Sequence, residues 1–283
     1  MQIEVGFDIT YEHPAPTPMM LAASIHPSRE VDLVVPETLR LDPHVHAQSY
    51  IDSFGNRCTR LVAPAGPIRF SSHAVLHDNG APDPAVPFLP QTRVDRLPEE
   101  TLVFLLGSRY CETDLLSDEA WRRFGSLPSG SPRVQAICDF VHHHIQFGYD
   151  RADPTKTAAQ ALATACGVCR DFTHLAVTLT RCMSIPARYC AGYVTDIGLA
   201  PPYAPMDFAA WFEAYLDGQW WIFDPRNHAP RVGRILMARG RDATDVAISN
   251  TFGLSQLRSF SVVARDVRDG GPVHGGRSIG TRT

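Results

Sequence analysis

The segment Cys166-Gly-Val-Cys169-Arg-Asp-Phe-Thr-His174-Leu-Ala-Val-Thr-Leu179 places the tightest constraint on this chain. A glycine-containing turn delivers Cys169 to the start of an apolar-periodic stretch, in which Phe172, Leu175, Ala176, Leu179, Cys182 and Met183 recur at helical spacing. A cysteine at that point lies against the unpaired N–H groups and positive end of a helix, which favours the thiolate, the nucleophilic form. The competing assignment is a small buried core residue, the commoner fate of a cysteine.

The 283 residues suffice for one large domain or two ordinary ones, with ordinary apolar (44%) and charged (20%) fractions. A net charge of −4 gives no basic footprint, so nucleic acid is not an expected partner. No apolar run is long enough to cross a bilayer, and Met1-Gln-Ile-Glu-Val5 has neither a basic region nor an apolar signal core. The expectation is a cytoplasmic protein with no membrane partner. The 7 scattered cysteines do not read as a disulfide framework.

Residues 1–98 read as a β-rich N-terminal domain. Ile3 to Tyr11, Met19 to Ile25, Val31 to Val35 and Ile68 to Leu76 are strand-like runs, and Ser49 to Ala63 reads as a hairpin. Asp78 to Pro98, with Asn79-Gly80 and five prolines, is either a domain connection or an ordered arm along the surface. A second domain is expected over 99–265, followed by a mobile, glycine-rich tail over 266–283. In it, Thr101 to Leu106, Ser108 to Tyr110 and Asp114 to Phe124 suggest short helices. Ser131-Pro132 reads as an N-cap and first helical residue, with Val134, Ile137, Cys138, Val141 and Ile145 on one buried face. Thr157 to Ala165 suggests a helix and Ala187 to Thr195 a strand. Phe208 to Leu216 and Gln219 to Phe223 form a hairpin around Asp217-Gly218. Ile235 to Ala238 and Ala243 to Ile248 suggest short helices, and Ser259 to Ala264 a last strand.

His142, His143 and His144 share no helix face, and His44 and His46 alone are not a site, so no metal is expected. Cys166-Gly-Val-Cys169 has dithiol spacing, but an alanine-rich, helix-like stretch precedes it where a redox motif follows a buried strand. A nucleophilic cysteine needs a base and a group to orient that base. If Asp217-Gly218 is a two-residue turn, positions 209, 211 and 224 share one sheet face, so an acid at 224 sits diagonal to 209. Position 209 is alanine. The competing assignment for Asp224-Pro225 is a simple turn after a strand.

Three blocks carry a family resemblance: Gly167-Val-Cys169-Arg-Asp-Phe-Thr-His174-Leu, Ala210-Trp211-Phe-Glu213-Ala-Tyr215, and Trp220-Trp-Ile-Phe-Asp224-Pro-Arg-Asn227. Their order and spacing resemble the bacterial transglutaminase-like superfamily, and Gly233-Arg-Ile-Leu-Met-Ala-Arg-Gly-Arg-Asp-Ala resembles its continuation. So do the β-rich N-terminus and Ser108-Arg109-Tyr110. The resemblance implies an α+β fold, with an antiparallel β domain ahead of a papain-like core. It further implies a Cys-His-Asp triad that forms a cysteine thioester and passes the acyl group to an amine or water. Cys169 matches the nucleophile and Asp224 the orienting acid, but the base histidine of the family's His-Ala-Trp block is Ala209 here. His174 is not the base, and His228 is a poor substitute. Trp211 is expected to wall the acyl cleft, or else to pack in the sheet.

The implied activity is cysteine-dependent acyl transfer, disabled at position 209, with an engineered knock-out as the favoured explanation. The implied partners are a peptide, protein or small amide or ester as acyl donor and an amine or water as acceptor, with no cofactor. The alternatives are a natural pseudoenzyme that binds a peptide in the same cleft, and a dithiol oxidoreductase using Cys166 and Cys169.

Overall fold

The structure, a computed structural model, describes residues 1–269 and 277–278. The chain begins with β1 (Gln2–His13), β2 (Thr17–Leu21), β3 (Leu33–Asp42), β4 (Ala47–Ile51), β5 (Arg57–Ala63) and β6 (Gly66–His77). It continues through α1 (Glu99–Leu102), α2 (Thr113–Phe124), α3 (Ser131–His144), β7 (Gln146–Phe147), α4 (Ala158–Thr164), β8 (Cys166–Gly167) and α5 (Cys169–Cys182). The remainder is β9 (Ala187–Val194), β10 (Ala209–Leu216), β11 (Gln219–Phe223), β12 (Arg234–Gly240), β13 (Ser249–Thr251), β14 (Gln256–Asp266) and β15 (Arg277–Ser278). The fold is α+β, as the sequence suggests.

Two antiparallel sheets, ordered β15-β14-β1-β6-β3 and β13-β2-β5-β4, enclose one apolar core. Ile3, Val5, Phe7 and Ile9 alternate along β1 and face Met19, Leu21, Leu61 and Ala63. Both sheets are completed from the far end of the chain. β14 lies antiparallel to β1 with Ile3 opposite Asp266, and β13 pairs with β2. The last strand expected from the sequence therefore belongs to the N-terminal sheet. Tyr193 of β9, and Ile235 and Met237 of β12, enter the same core, so the β unit and the helical unit interpenetrate.

In the second unit, α5 is buried on every face from Asp171 to Cys182. Its apolar residues pack with α2, α3 and α4 and against Phe212, Ala214 and Leu216 of β10. Several of its polar residues bond backbone carbonyls. Thr173 and Thr178 donate to carbonyls one turn back, and Arg181 donates to the carbonyls of Leu106, Ala187 and Arg241. The supporting sheet runs β11-β10-β9-β12, all antiparallel. Asp217 (φ 48°) and Gly218 (φ 84°) form the two-residue turn, which sets Leu216 opposite Gln219.

Some local expectations fail for identifiable reasons. Residues 235–238 are strand: β12 pairs with β9 and carries a bulge between Leu236 and Ala238. Strand alternation sends Ile235 and Met237 into the N-terminal core while Leu236 packs beside Trp211. A four-residue apolar run cannot distinguish a helix from a buried strand by periodicity. Residues 243–248 are a turn held by Asp242, which accepts from Thr244 N. Ser131 does not cap α3. It donates to Pro87 O and accepts from Leu89 N, and Gly130 takes the cap position. The 78–98 segment is thus an ordered arm, also bonded through Asp83 N to Arg231 O (2.8 Å).

Gly192 on β9 sits opposite Ala209, and a Cβ there would overlap the Ile235 carbonyl oxygen and crowd the Trp211 ring. Gly192→Ala is expected to cost roughly 3 kcal/mol in urea unfolding, because β12 must move away from β9. Ala187→Gly on the same strand tests whether the loss reflects backbone crowding rather than general sensitivity of β9.

Candidate active site

Cys169 is the first residue of α5. The strand pair β7–β8 feeds the turn before it, with Gln146 opposite Cys166 and Phe147 opposite Gly167. Val168 is extended and donates its N–H to Asp171 Oδ2 (2.9 Å), which fixes the chain's entry into the helix. Gly167 is required there, since a Cβ would fall on the Asp171 carboxylate. Arg170 Nη2 lies 3.3 Å from Asp171 Oδ1.

Cys169 is half-buried and lines a cleft of about 120 Å³, whose walls include Phe147, Tyr149, Asp207, Ala209 and Arg226. Its thiol is pushed up to about 12 by burial and then by the Asp207 carboxylate; the N–H groups of Ala210 and Arg170, and the Arg226 cation, oppose this. The helix start therefore does not make this cysteine a thiolate. Burial and a facing carboxylate outweigh it.

Ala209 opens β10 and presents its methyl group to the same cleft. The strand start is fixed by Phe208, whose ring meets Phe7 (5.9 Å), Tyr193 (5.4 Å) and Phe260 (5.6 Å). The N-terminal core thereby sets the register of residues 207–210 against Cys169.

Asp224 follows β11 directly and does not line the Cys169 cleft. Its Oδ1 accepts from the N–H groups of Arg226 (3.1 Å) and Asn227 (2.9 Å). Its Oδ2 accepts from Asn227 Nδ2 (2.7 Å) and Arg234 Nη2 (2.9 Å). Arg234 also lies over the Trp211 ring, 4.7 Å from its centroid, which puts Asp224 and Trp211 on one sheet face, the face of position 209. Arg234 in turn forks onto Asp83 of the arm, at 3.0 and 2.8 Å. Arg231 extends this network from Asn227 Oδ1 to Asp196 and the Thr195 carbonyl.

Trp211 does not wall the cleft. It is 1% exposed and packs with Cys190, Val194 and Leu236 beneath β10, the sheet-packing alternative. His174 is buried between Tyr110 and Tyr189, and its Nε2 accepts from Ala243 N (3.1 Å), tying α5 to the 242–245 turn. Burial holds its imidazole well below the usual range. His228 bonds Asp139 and stacks on His142 at 4.4 Å, outside the Cys169 cleft. His142, His143 and His144 diverge to three different carbonyls, of Pro225, Asp139 and Leu162. Asp207, Arg226, Asn227 and the Asp83–Arg234 pair escaped the sequence reading. Asp207 and Arg226 had a usable signal in lying two residues from 209 and 224, whereas Asp83 lies in a proline-rich arm with no pattern.

Residues 122–225 match the sequence profile of the transglutaminase-like superfamily. A crystal structure described as that of a candidate cysteine protease from Cytophaga hutchinsonii superposes with a TM-score of 0.81 at 29% identity, covering 94% of this chain and 91% of that one. An uncharacterised protein of Mycobacterium leprae is 26% identical over 258 residues, covering 87% of this chain and 90% of its own length. Residues 122–225 thus match a transglutaminase-like domain, and the chain is similar over nearly its whole length to a bacterial protein described as a candidate cysteine protease.

Two outcomes follow from the buried groups. Asp83→Ala leaves the Arg234 guanidinium, 4% exposed, with one carboxylate in place of two. A loss of about 2–4 kcal/mol is expected in denaturant titration. His174 takes up its proton less readily folded than unfolded, so the unfolded chain binds the extra proton as pH falls below the ordinary histidine value of 6.5 and stability drops there. His174→Gln keeps an acceptor for Ala243 N and should flatten that part of the stability–pH curve.

Proposed function

We propose that this fold performs cysteine-dependent acyl transfer when position 209 carries histidine, and that Ala209 disables it at the first proton transfer. The observation that carries the reading is the meeting of three features. Cys169 opens α5, position 209 opens on the same cleft, and Asp224 is fixed on the sheet face of 209. In the competent form, the imidazole takes the Cys169 proton while Sγ bonds to the carbonyl carbon of an amide or ester. The imidazolium then protonates the leaving amine or alcohol, and a thioester remains. Water or an amine resolves it with the imidazole again acting as base, so hydrolysis, transamidation and ligation differ only in the resolving nucleophile. Asp224 orients the imidazole. The N–H groups of Ala210 and Arg170, which already face the sulfur, support the charge that develops there.

The description of the similar C. hutchinsonii protein favours amide donors such as peptides. Without the base, the thiol keeps its proton near neutral pH, which accounts for a loss of roughly 10⁴-fold or more. A cleft retained for binding alone is the alternative that Ala209 favours. A Cys166–Cys169 redox pair is disfavoured, because such a pair needs a depressed thiol where Cys169 is raised.

Restoring the base tests this directly. Ala209→His is expected to bring the pH midpoint of Cys169 alkylation from about 12 to below about 8, and to give an acyl adduct on Cys169 by intact mass with aryl esters. Cys169→Ala in that background removes both. If alkylation of the histidine form still rises only above pH 10 and no adduct accumulates, the cleft is a binding site and the acyl-transfer reading falls.

A further inference from the structure

The cleft beside Cys169 has two cationic wall residues among those described, Arg226 and Arg231. Both terminal nitrogens of Arg231 are committed: they bond Asn227 Oδ1 at 2.8 Å, Thr195 O at 2.7 Å and Asp196 Oδ1 at 3.1 Å. Those of Arg226 are not. Among the described residues its guanidinium has no carboxylate or carbonyl partner, and its Cζ lies over the Phe147 ring, 3.9 Å from the centroid. Its backbone is also held, since Arg226 N donates to Asp224 Oδ1. A planar cation stacked on an aromatic wall keeps its in-plane N–H donors turned outward, available for a bidentate anion. The carboxylates on the cleft wall are Asp207 and Asp196, the latter bonded by Arg231.

We propose that Arg226 is the specificity-determining residue of this cleft, and that the acyl donor carries a carboxylate a few bonds from the carbonyl that Cys169 attacks. This deepens the acyl-transfer reading and rests on it. The carbonyl seats at the sulfur, and the remote carboxylate takes the guanidinium fork that nothing else occupies. The small cleft volume suits a short acyl chain, which brings both ends of such a donor into contact at once.

The Ala209→His chain is assayed with p-nitrophenyl hydrogen glutarate and p-nitrophenyl pentanoate, which share acyl length and differ in the terminal carboxylate. In each reaction Sγ bonds the carbonyl carbon, nitrophenolate leaves, and the thiol proton passes to the imidazole. The Cys169→Ala rate is subtracted as background. The expected kcat/KM ratio favours the glutarate by about 10- to 100-fold, the scale of a charge-assisted hydrogen bond, and falls toward one in Arg226→Gln. A ratio near one before that substitution, or one that survives it, overturns the proposal. A second measurement does not depend on turnover. The present chain is titrated with monomethyl glutarate and with dimethyl glutarate while the Arg226 Nε–H resonance is followed. A saturable shift with the monoester alone upholds the anion subsite even if neither aryl ester turns over, and in that case the acyl-transfer reading alone fails. No shift, or equal shifts with both, overturns the subsite.

Discussion

The Arg234 guanidinium is the interaction on which the rest of the structure depends. It sits 4% exposed between two carboxylates, Asp83 of the arm and Asp224 at the end of β11, and lies over the Trp211 ring of β10. The Arg234 carbonyl accepts from Arg29, so the N-terminal unit joins the same point. A charge so far from water is tolerable only when paired and bonded on several sides. Each partner comes from a different part of the chain, and none can satisfy it alone. The arm and the hairpin must both be in place before the guanidinium is accommodated, which makes it a specificity device for the assembled fold.

The strand pairing imposes the same interdependence on the backbone. β1 lies between β6 and β14, so it has one neighbour from its own unit and one from the end of the described chain. Without β14, β1 would present a row of unpaired N–H and C=O groups beside an apolar core. Phe208 extends the coupling to the cleft, because its ring is wedged among Phe7, Tyr193 and Phe260. The residues that face Cys169 from β10 are therefore held in place by the N-terminal core.

The sequence was most legible where local rules decide. The apolar period from Phe172 to Leu179 specified α5, and Asp217-Gly218 specified the hairpin and its register, because helix faces and two-residue turns are properties of short segments. It was least legible where distant partners decide. Ile235 to Ala238 is strand because β9 offers an edge, and Ser131 leaves its cap role because Pro87 and Leu89 reach it from the arm. For the site, the meeting of Cys169 and position 209 was implied by the family resemblance, and both line one cleft. The raised thiol did not: helix-end reasoning supplies one favourable term, while burial and Asp207 appear only when the chain is folded. Trp211 misled for a related reason. A tryptophan beside a site suggests a wall, yet Trp211 lies farther along the face of 209, packed with Cys190, Val194 and Leu236 beneath Arg234.

The bonding of Asp224 bears on how an imidazole at 209 would be received. A carboxylate offers about four acceptor positions, and here four donors occupy them: two backbone N–H groups, the Asn227 amide and Arg234 Nη2. An imidazole N–H can enter only by displacing one. The backbone donors are fixed by the turn after β11, and the Arg234 bond is charge-assisted and buried, so the neutral Asn227 amide is the cheapest to give up. Asn227 is itself tied through Oδ1 to Arg231, which grips Asp196 and Thr195 on the cleft wall. Seating a base at 209 would therefore loosen the Arg231 strap as it engages the acid, coupling the chemistry at Cys169 to the shape of the cleft around it.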